Sequence, residues 1–457
     1  MIARVVVAGT SSGAGKTTIA CGLIGALRAC GLRVQGFKVG PDYIDPSYHA
    51  LASGRPGRNL DAFLSGPELI APLVRHGGAG ADIAVIEGVM GLFDGASGRG
   101  ELASTAHVAK LLDAPLLLVV DAASMARSAA AIVHGYTTFD PDVNVAGIVF
   151  NRVGSDHHEA LLRDAVAPLG VPVLGALRRD ERVVAPERHL GLVPAGEREG
   201  RTRVALESLA GAVARCVDVA AIERLARAAG ADGPSGPCWS AEPAAAPAGC
   251  GARIAIARGP AFSFHYEENL ELLQAAGAEL AAFDPLHDDA LPSGSGALIL
   301  AGGFPEVYGE ALAANAPLRA DVAAFVAAGR PVLAECGGLL YLCDELDGHA
   351  MCGAIPARAS MTRSLTLGYR EAVAATSTPW MQAGERVRGH EFHYSRVQPP
   401  DGAARAAWTL AARGTQRPEG LVAGALQASY LHVHWAAHPQ LARRFADAAR
   451  AAQPAAA

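Results

Sequence analysis

The stretch that most constrains this chain is its strand–loop–helix opening over residues 5–18. A β-branched run, Val5-Val6-Val7, leads into a glycine-rich loop, and the letters GKTT then open an apolar helix. The backbone N–H groups of such a loop, with the N-terminus of the following helix behind them, form a cradle for phosphate oxygens. Lys16 is expected to reach the β- and γ-phosphates of a nucleotide, and the Thr17 hydroxyl is expected to hold Mg²⁺. The opening therefore predicts a nucleotide-binding α/β domain.

The loop departs by one residue from the strict phosphate-loop pattern, because Gly9 stands one place before the usual glycine position, which Thr10 occupies. Its lysine is unusual for this chain. Of 39 lysines and arginines only three are lysines, and two of them, Lys16 and Lys38, lie in glycine-rich motifs. A compact ammonium group meets phosphate differently from a planar guanidinium. The nucleotide-binding residues predicted from the loop are Thr10, Ser11, Ser12, Gly13, Ala14, Gly15, Lys16, Thr17 and Thr18.

The composition argues against several classes of function. A net charge of −6 without basic clusters speaks against nucleic acid as the main ligand. No uninterrupted apolar stretch is long enough to span a bilayer, so we expect no membrane partner. The eight cysteines contain no C-x-x-C pair and no zinc-like spacing. That usage is typical of reduced cysteines in a cytoplasmic protein.

Apolar runs alternate with helix-sized segments from residue 1 to about 200. The predicted strands of this region are 4–8, 34–38, 83–87, 115–120, 145–150 and 171–175. Several are continuous runs of Val, Ile and Leu, as expected for parallel strands that are buried on both faces. The pattern predicts an α/β fold over 1–200, a doubly wound parallel sheet that carries the phosphate loop.

A change of composition marks a second unit. Alanine-rich helical sequence and then a proline- and glycine-rich run predict a helical segment and linker over 201–250. New strand candidates follow at 253–257, 280–283, 297–300 and 331–334, with a β-like stretch near 389–398. They predict a second α/β domain over 251–447. The alanine-rich residues 448–457 are predicted to be a disordered tail.

One cysteine of the second unit has the setting of a nucleophile. Cys336 lies between an apolar strand and a helix, and the two glycines after it leave room for a substrate. The helix N-terminus favours the thiolate, which is the nucleophilic form. Alternation places His432 and His434 on one face of an extended segment, so one could pair with Cys336 while the other orients it. Backbone N–H groups for an oxyanion are expected at Gly302, Gly303 and Gly337.

With these residues in place, nearly the whole chain resembles the cobyrinic and hydrogenobyrinic acid a,c-diamide synthases. The motifs that carry the resemblance are GTSSGAGKTT at 9–18, KVGPDYIDPSYH at 38–49, RNLDAF at 58–63, EGVMGLFDG at 87–95, LAGGFPE at 300–306, AECGGLLYL at 334–342, GHEFHYS at 389–395 and ASYLHVHW at 428–435. The first half is similar to the dethiobiotin synthetase-like ATPases, which share the shifted glycine. The second half is similar to class I glutamine amidotransferases of flavodoxin-like α/β fold. In those proteins a glutamate follows two residues after the catalytic histidine, and His434 stands there if His432 is the base.

The resemblance implies a carbon–nitrogen ligase of cobalamin biosynthesis. ATP would activate the a- and c-side-chain carboxylates of a corrinoid polyacid as acyl phosphates, and ammonia from L-glutamine would displace the phosphate. Cys336 would release that ammonia through a thioester, while Lys38 would neutralise the transferred phosphoryl group. Carboxylates at or just beyond strand ends suit Mg²⁺, and the candidate metal ligands are Thr17, Asp45, Glu87 and Asp94, with Asp45 also a catalytic candidate. The resemblance alone implies a homodimer.

Other functions stay open at this point. A cobyric acid synthase would use the same chemistry on different carboxylates, and a nickel-sirohydrochlorin a,c-diamide synthase has similar motifs. A ParA- or MinD-like nucleotide switch would need only the first domain. Such switches usually carry a second lysine early in the loop, where this chain reads Thr10-Ser11-Ser12. Two choices are also open: whether the corrinoid contains cobalt, and whether His432 or His434 is the base.

Overall fold

The structure is a computed structural model that describes residues 2–179, 199–232, 236–241, 251–398, 405–412 and 415–453. The chain divides into two compact units, Met1–Ser240 and Ala241–Ala457. The first unit contains the phosphate loop and the second contains Cys336. Each unit is built around its own parallel strands.

The described residues of the first unit contain one seven-stranded sheet. Its strands are β1 (Ala3–Gly9), β2 (Val34–Val39), β3 (Arg58–Leu60), β4 (Ile83–Glu87), β5 (Leu116–Asp121), β6 (Val145–Val153) and β7 (Val173–Arg178). They lie in the order β3-β2-β4-β1-β5-β6-β7, and every neighbouring pair is parallel. The consecutive strands β4 and β5 lie on opposite sides of β1, so the carboxyl end of β1 borders the crevice where open α/β sheets bind ligands. The predicted α/β fold is confirmed.

Burial explains why these strands could be predicted. β1 and β4 are buried along their whole length, and a strand covered on both faces reads as one continuous apolar run. The six predicted strands are present, with ends that differ by up to three residues. The edge strand β3 was not predicted, because three residues are too few to show a period.

Helices cover this sheet. They are α1 (Lys16–Ala29), α2 (Ile44–Ser53), α3 (Pro67–Gly77), α4 (Thr105–Leu111), α5 (Ser128–Thr138), α6 (Asp156–Val166), α7 (Glu199–Cys216) and α8 (Val219–Asp232). The last two fall in the segment predicted as helical, and they pack on the first unit. A Cβ added at Gly22 of α1 would lie 2.4 Å from a methyl carbon of Val213 in α7, and one at Gly230 of α8 would lie 3.1 Å from the backbone of Ala3. Of the predicted linker, the structure describes only residues 236–241.

The second unit has a mostly parallel six-stranded sheet in its described part. The strands are β8 (Ala252–Ala257), β9 (Ala278–Phe283), β10 (Ala297–Leu300), β11 (Val332–Glu335), β18 (Leu421–Ala423) and β19 (Leu426–Ser429), in the order β18-β19-β11-β10-β8-β9. All pairs are parallel except β18 with β19. The inner strand β11 ends directly before Cys336, so the cysteine lies at the carboxyl edge of this sheet.

A second, mainly antiparallel sheet belongs to the same unit. Its strands are β12 (Cys343–Leu346), β13 (His349–Ala350), β14 (Ile355–Ala374), β15 (Arg386–Gln398), β16 (Trp408–Ala412), β17 (Thr415–Glu419) and β20 (His432–Val433). Only the β15 region was predicted. The middle of the long strand β14 is largely exposed or half-buried, so it lacks the apolar alternation that would have revealed it.

The remaining helices are α9 (Glu267–Ala275), α10 (Gly309–Ala314), α11 (Ala316–Ala327), α12 (Gly337–Leu342) and α13 (Pro439–Ala452). α13 corrects the prediction of a disordered tail from 448, because the helix continues to Ala452. Its buried stripe includes Leu441, Phe445 and Ala449, and this packing extends the helix past 447; residues 454–457 lie outside the described residues. No helix in the described part of the chain is both long enough and apolar enough to cross a membrane.

Candidate active sites

The phosphate loop joins β1 to α1 and depends on glycine at its end. Gly15 has a φ of 98°, in the left-handed region that glycine adopts without strain. A Cβ at Gly15 would lie 2.0 Å from Nδ2 of Asn151, and a Cβ at Gly9 would lie 2.9 Å from Cγ of Lys16. Residues 11–13 of the loop are exposed. The tightly packed ends and the exposed centre leave the loop backbone accessible where a phosphate would bind.

Neighbouring strands and helices hold the loop from outside. The N–H of Thr10 donates to the carbonyl of Val119 (3.2 Å), and the Tyr136 hydroxyl donates to the carbonyl of Thr10 (2.5 Å). Nδ2 of Asn151 donates to the carbonyl of Ala14 (3.0 Å). Both backbone groups of Thr10 are therefore used for anchoring, so its predicted contact with nucleotide would have to come from the side chain.

Lys16 and Thr17 occupy the first turn of α1. Nζ of Lys16 donates to the carbonyls of Ser11 (3.0 Å) and Met90 (2.5 Å). The Thr17 hydroxyl donates to Oε1 of Glu87 at 2.6 Å. This ammonium group lies next to the positive end of α1, where carbonyl partners such as these can be exchanged for phosphate oxygens.

A buried charged cluster lies beside this turn. Nζ of Lys38 is 2.6 Å from Oδ2 of Asp45 and 2.8 Å from Oε1 of Glu87. Nε2 of His49 is 2.7 Å from Oε2 of Glu87. Asp45 and His49 are four residues apart on α2, a spacing that turns both side chains to the same face. Glu87 thus accepts hydrogen bonds from Thr17, Lys38 and His49 together.

The cluster shifts the pKa values of its members. Burial opposes the charge of Lys38, but the carboxylates of Asp45 and Glu87 outweigh it and raise the pKa of the ammonium group above its ordinary value. Burial and the charge of Asp45 raise the pKa of Asp42 to about 7. Lys38 is therefore a permanent cation, and Asp42 is a carboxyl group that changes its protonation near neutral pH.

The oxygens at the start of α1 fit a magnesium ion bound together with a nucleotide. Mg²⁺ takes oxygen ligands and usually keeps waters and substrate phosphates in its shell, so the Thr17 hydroxyl and the Glu87 carboxylate can serve as its protein side. No group of three or more His, Cys, Asp or Glu side chains in the described residues could hold a metal without such phosphates. The other two predicted ligands have different partners: Asp45 pairs with Lys38, and Asp94 accepts the N–H of Gly91 at 3.0 Å.

Cys336 forms a strained turn between β11 and α12. Its backbone has φ 46° and ψ −100°, a conformation that a non-glycine residue adopts only when its surroundings hold it, commonly at functional sites. Its N–H donates to the carbonyl of Ser429 (2.8 Å), and its thiol donates to the carbonyl of Phe392 (3.9 Å). The side chain is almost fully buried. The position matches the sharp strand-to-helix turn expected from the sequence.

The two histidines of the 428–435 motif have different partners. His432 hydrogen-bonds with the side chain of Cys336, and its Nδ1 lies 3.4 Å from Oε2 of Glu335. Nε2 of His434 instead lies 3.4 Å from Oε2 of Glu268. His434 follows β20 with an extended backbone (φ −88°, ψ 114°), and a 3₁₀ helix begins at Trp435. The extended segment expected from the sequence is therefore present, and the shared face of the two rings stays a prediction. Of the two histidines, His432 is therefore the one that contacts the side chain of Cys336.

Electrostatics also distinguish His432 from its neighbours. Burial disfavours its charged form, but the hydrogen bonds to Cys336 and Glu335 outweigh burial and raise the pKa of His432 to about 10. Burial, together with the charge of His432, lowers the pKa of His390 to about 3. His390 is the cross-strand partner of His432. A charged imidazole beside a cysteine stabilises the thiolate form.

The three predicted oxyanion glycines lie around this pair. A Cβ at Gly302 would lie 2.6 Å from Cε1 of His432, and a Cβ at Gly337 would lie 3.0 Å from the backbone nitrogen of Gly303. At Gly303 an added Cβ would meet the carbonyl of Ala261 at 2.0 Å. Glycine is therefore required at these positions by close packing, and their role for an oxyanion stays a prediction.

Three residues with site contacts were missed by sequence reasoning. His49 could have been found from its four-residue spacing to Asp45 on a helix. Glu335 is a carboxylate at the end of an otherwise apolar strand, next to the cysteine, which is a weak signal. Asn151 reaches the phosphate loop across 137 residues of sequence, and no local pattern predicts such a contact.

Comparison with known protein families assigns both halves of the chain. The family described as the CobQ/CobB/MinD/ParA nucleotide binding domain matches residues 5–193. The family described as the CobB/CobQ-like glutamine amidotransferase domain matches residues 253–440. The phosphate loop lies in the first match, and Cys336 and His432 lie in the second.

Curated relatives match the chain over nearly its full length. The hydrogenobyrinate a,c-diamide synthase of Streptomyces coelicolor is 53% identical over 98% of each chain. That of Mycobacterium tuberculosis strain H37Rv is 50% identical over 97% of each chain. The cobyrinate a,c-diamide synthase of Syntrophotalea carbinolica is 46% identical over 98% of each chain.

Proposed function

The chain belongs to the family of hydrogenobyrinate and cobyrinate a,c-diamide synthases, and from this premise we propose the reaction that it catalyses. The reaction is the ATP-dependent amidation of the a- and c-side-chain carboxylates of a corrinoid polyacid, with L-glutamine as the nitrogen donor. The observation that carries the proposal is that one chain, similar to such enzymes over 98% of its length, has both a phosphate loop and a Cys336–His432 pair. A nucleotide switch would have no use for the second site.

The first unit would activate the carboxylate. A carboxylate is a poor acyl donor, so the γ-phosphoryl group of ATP is transferred to it, and the resulting acyl phosphate reacts with ammonia. Such transfer depends on positioning and on charge neutralisation. Lys16 and the backbone of residues 11–15 would hold the phosphates, and the permanent positive charge of Lys38 would lie beside Glu87.

Magnesium would enter this site together with ATP. The Thr17 hydroxyl and the Glu87 carboxylate would be its protein ligands, which is supported by their 2.6 Å contact at the start of α1. The bound ion would supply positive charge to the phosphate oxygens. Lys38 and His49 would keep the Glu87 carboxylate oriented towards the ion.

The second unit would release ammonia from glutamine. The Cys336 thiolate attacks the carboxamide carbon, and protonated His432 gives its proton to the departing ammonia. Water, deprotonated by His432, then hydrolyses the thioester to glutamate and restores the thiol. The N–H groups near Gly303 and Gly337 would face the oxyanion that forms in both steps.

We propose hydrogenobyrinate, the metal-free corrinoid, as the preferred substrate. Five relatives that carry that name are 49–53% identical to this chain, and three named cobyrinate a,c-diamide synthase are 43–46% identical.

Product analysis tests the proposed function. Hydrogenobyrinic acid and cobyrinic acid are offered separately with ATP, Mg²⁺ and glutamine, and the products are identified by mass spectrometry. We expect two successive amidations, faster with hydrogenobyrinic acid, with ADP and glutamate formed alongside. Equal rates would contradict the substrate preference. Absence of both ADP and glutamate with either corrinoid would overturn the function itself.

We also propose a homodimer, on the resemblance to the family alone. Light scattering of the full chain after size-exclusion chromatography measures the mass directly. A value near the 46.8 kDa of a single chain at all protein concentrations would contradict it.

A further inference from the structure

We propose that Glu335 positions the catalytic histidine of the glutaminase site, taking the part that a glutamate two residues after the histidine has in other class I amidotransferases. The inference deepens the proposed function and rests on the glutaminase activity of the second unit. It assigns a positioning residue directly before the nucleophile in the sequence, Glu335 before Cys336, where the family pattern offers none.

The usual position of the third residue cannot supply a carboxylate here. It is occupied by His434, whose Nε2 lies 3.4 Å from Oε2 of Glu268. Its Nδ1 accepts the N–H of Ala436 at 3.3 Å. Both nitrogens of this ring are therefore turned to groups other than His432, and the residue cannot orient the base as a carboxylate would.

Glu335 supplies the missing carboxylate, although it precedes the nucleophile in the sequence and does not follow the histidine. Its Oε2 lies 3.4 Å from Nδ1 of His432, and the two side chains are 13% and 1% exposed. Because Nδ1 faces Glu335, the other ring nitrogen, Nε2, is the one left for Cys336. A carboxylate at Nδ1 fixes the tautomer and the ring orientation of a histidine base.

The backbone holds the carboxylate and the thiol in a fixed relation. Glu335 pairs with Ser429 at the end of β11 and β19, and the N–H of Cys336 donates to the carbonyl of the same Ser429 at 2.8 Å. Gly302 packs closely against Cε1 of His432, and this contact confines the ring between Glu335 and Cys336. Consecutive residues of one strand end thus contact the two nitrogens of one imidazole.

The charged groups around His432 support this assignment. Cys336 and Glu335 are the two groups that raise its pKa against the effect of burial. From β15, His390 and His393 face the ring, and burial lowers the pKa of both. Neither is charged at neutral pH, so among these neighbours the carboxylate that stabilises the imidazolium is Glu335.

The chemical consequence concerns the proton that His432 carries. In the first step Cys336 forms a bond to the glutamine carbonyl carbon while the C–N bond breaks, and the proton on Nε2 leaves with ammonia. Glu335 does not take part in the proton transfer itself. Its charge raises the fraction of imidazolium available for that transfer and keeps Nε2 directed at the sulfur.

The first experiment compares Glu335→Gln with the wild type in the full chain. Gln keeps the size but removes the charge, so we expect kcat for glutamine hydrolysis to fall at least about tenfold, with KM for glutamine within about twofold. Amidation driven by ammonium chloride should be unchanged, which also shows that the variant is folded. The alkaline limb of the pH profile of glutamine hydrolysis should move to lower pH, because His432 loses the charge that raised its pKa. Glu279→Gln, at an exposed position of the edge strand β9, is the matched control.

The second experiment tests whether Glu335 acts through His432. In a His432→Asn background, adding Glu335→Gln should cost no further activity, because the group that it positions is gone. An equal loss in both backgrounds, or a single variant with unchanged kcat and an unmoved pH profile, would overturn the proposal. If the wild type itself releases no glutamate, the proposed glutaminase function fails. That outcome is distinct from the two results that would overturn the role of Glu335.

Discussion

Nε2 of His49 lies 2.7 Å from Oε2 of Glu87, and both side chains are completely buried. The other oxygen of Glu87 accepts from Thr17 and Lys38. The second ring nitrogen of His49 has no hydrogen-bond partner in the part of the chain that the structure describes, so the polar contact of this ring is the one with Glu87. Glu87 is thereby tied to α2 as well as to α1 and β2, and its orientation towards Thr17 depends on all three.

We therefore expect His49→Leu to impair the first unit. Removing one donor from a buried carboxylate costs about 1–3 kcal/mol, and a reoriented Glu87 should lower kcat for ammonia-driven amidation at least about tenfold. Steady-state kinetics with varied Mg²⁺ should show a raised requirement for the metal, while glutamine hydrolysis is retained. His157→Leu, at an exposed position of α6, is the control. If His49→Leu amidates at the wild-type rate at limiting Mg²⁺, His49 contributes packing only and does not orient Glu87.

The three lysines of the chain allow a second test of the nucleotide site. Lys16 extends past Gly9, where a Cβ would already meet its Cγ at 2.9 Å, and this packing leaves little room for a guanidinium. We expect Lys16→Arg to reduce ATP-dependent amidation roughly 100-fold or more with either nitrogen source. Lys110→Arg should keep its ion pairs with Glu101 and Asp140 and its activity. Nucleotide affinity measured by calorimetry would separate lost binding from lost transfer, and equal activity of the two variants would contradict the assignment.

The fold shows which sequence signals carry structural information. β1 and β4 are buried on both faces, and their valine- and isoleucine-rich runs predicted them with ends within two residues. β14 extends over twenty residues and was missed, because only its first five residues alternate between buried and exposed. The rest of the strand is held mainly by pairing with β15 and β16. Backbone pairing with a neighbouring strand does not by itself produce a hydrophobic period in the sequence.

The sites divide in the same way. Lys16, Thr17 and Cys336 lie in local strand–loop–helix patterns, and the structure has them at those turns. The contacts of His432 with Glu335, and of His49 with Glu87, join residues 97 and 38 positions apart. All four residues lie within the motifs quoted from the sequence, but only the packing of the strands and helices shows which nitrogen faces which oxygen.

The choice between the two histidines gives a third prediction. His432→Asn should lower kcat for glutamine hydrolysis by roughly 100-fold or more, since general acid–base catalysis contributes about that much. His434→Asn should retain most of that activity, because its ring contacts Glu268 and packs against Tyr266. The hydrolysis rate and the melting temperature of both variants would be measured together. A larger loss of turnover in His434→Asn than in His432→Asn would reverse the assignment.

A fourth prediction separates the two chemistries. Cys336→Ala removes the nucleophile, so glutamine-dependent amidation should be abolished, while amidation from high concentrations of ammonium chloride should persist at a rate near that of the wild type. Cys343→Ala, at a buried cysteine two turns later, tests whether a lost thiol matters in itself. Product formation from both nitrogen sources is followed for each variant. Loss of the ammonia-driven reaction in Cys336→Ala would argue against separate sites.

The last prediction concerns stability and pH. Burial raises the pKa of Glu419 to about 7, although Ser429 and the N–H of Tyr430 donate to it at 2.5 and 2.7 Å. Its pKa is thus higher in the folded chain than in the unfolded one, so the folded state holds an extra proton between about pH 4.5 and 7. The free energy of unfolding should therefore fall as pH rises through that window, by up to about 3 kcal/mol from this group.

Glu419→Gln should remove this slope, since the amide does not titrate, and should leave the variant at least as stable as the wild type at pH 8. Urea unfolding at pH 5 and at pH 8 measures the difference. Asp42 titrates in the same pH window, so the stability of the variant is still expected to depend on pH. The test is therefore whether the slope of the variant is smaller than that of the wild type. Glu345→Gln, at a half-exposed position of β12, should keep the wild-type slope. Glu419 contacts Ser429, whose carbonyl accepts the N–H of Cys336. An unchanged slope in Glu419→Gln would mean that Glu419 carries no extra proton in the folded state, so that the turn at Cys336 does not depend on a protonated Glu419.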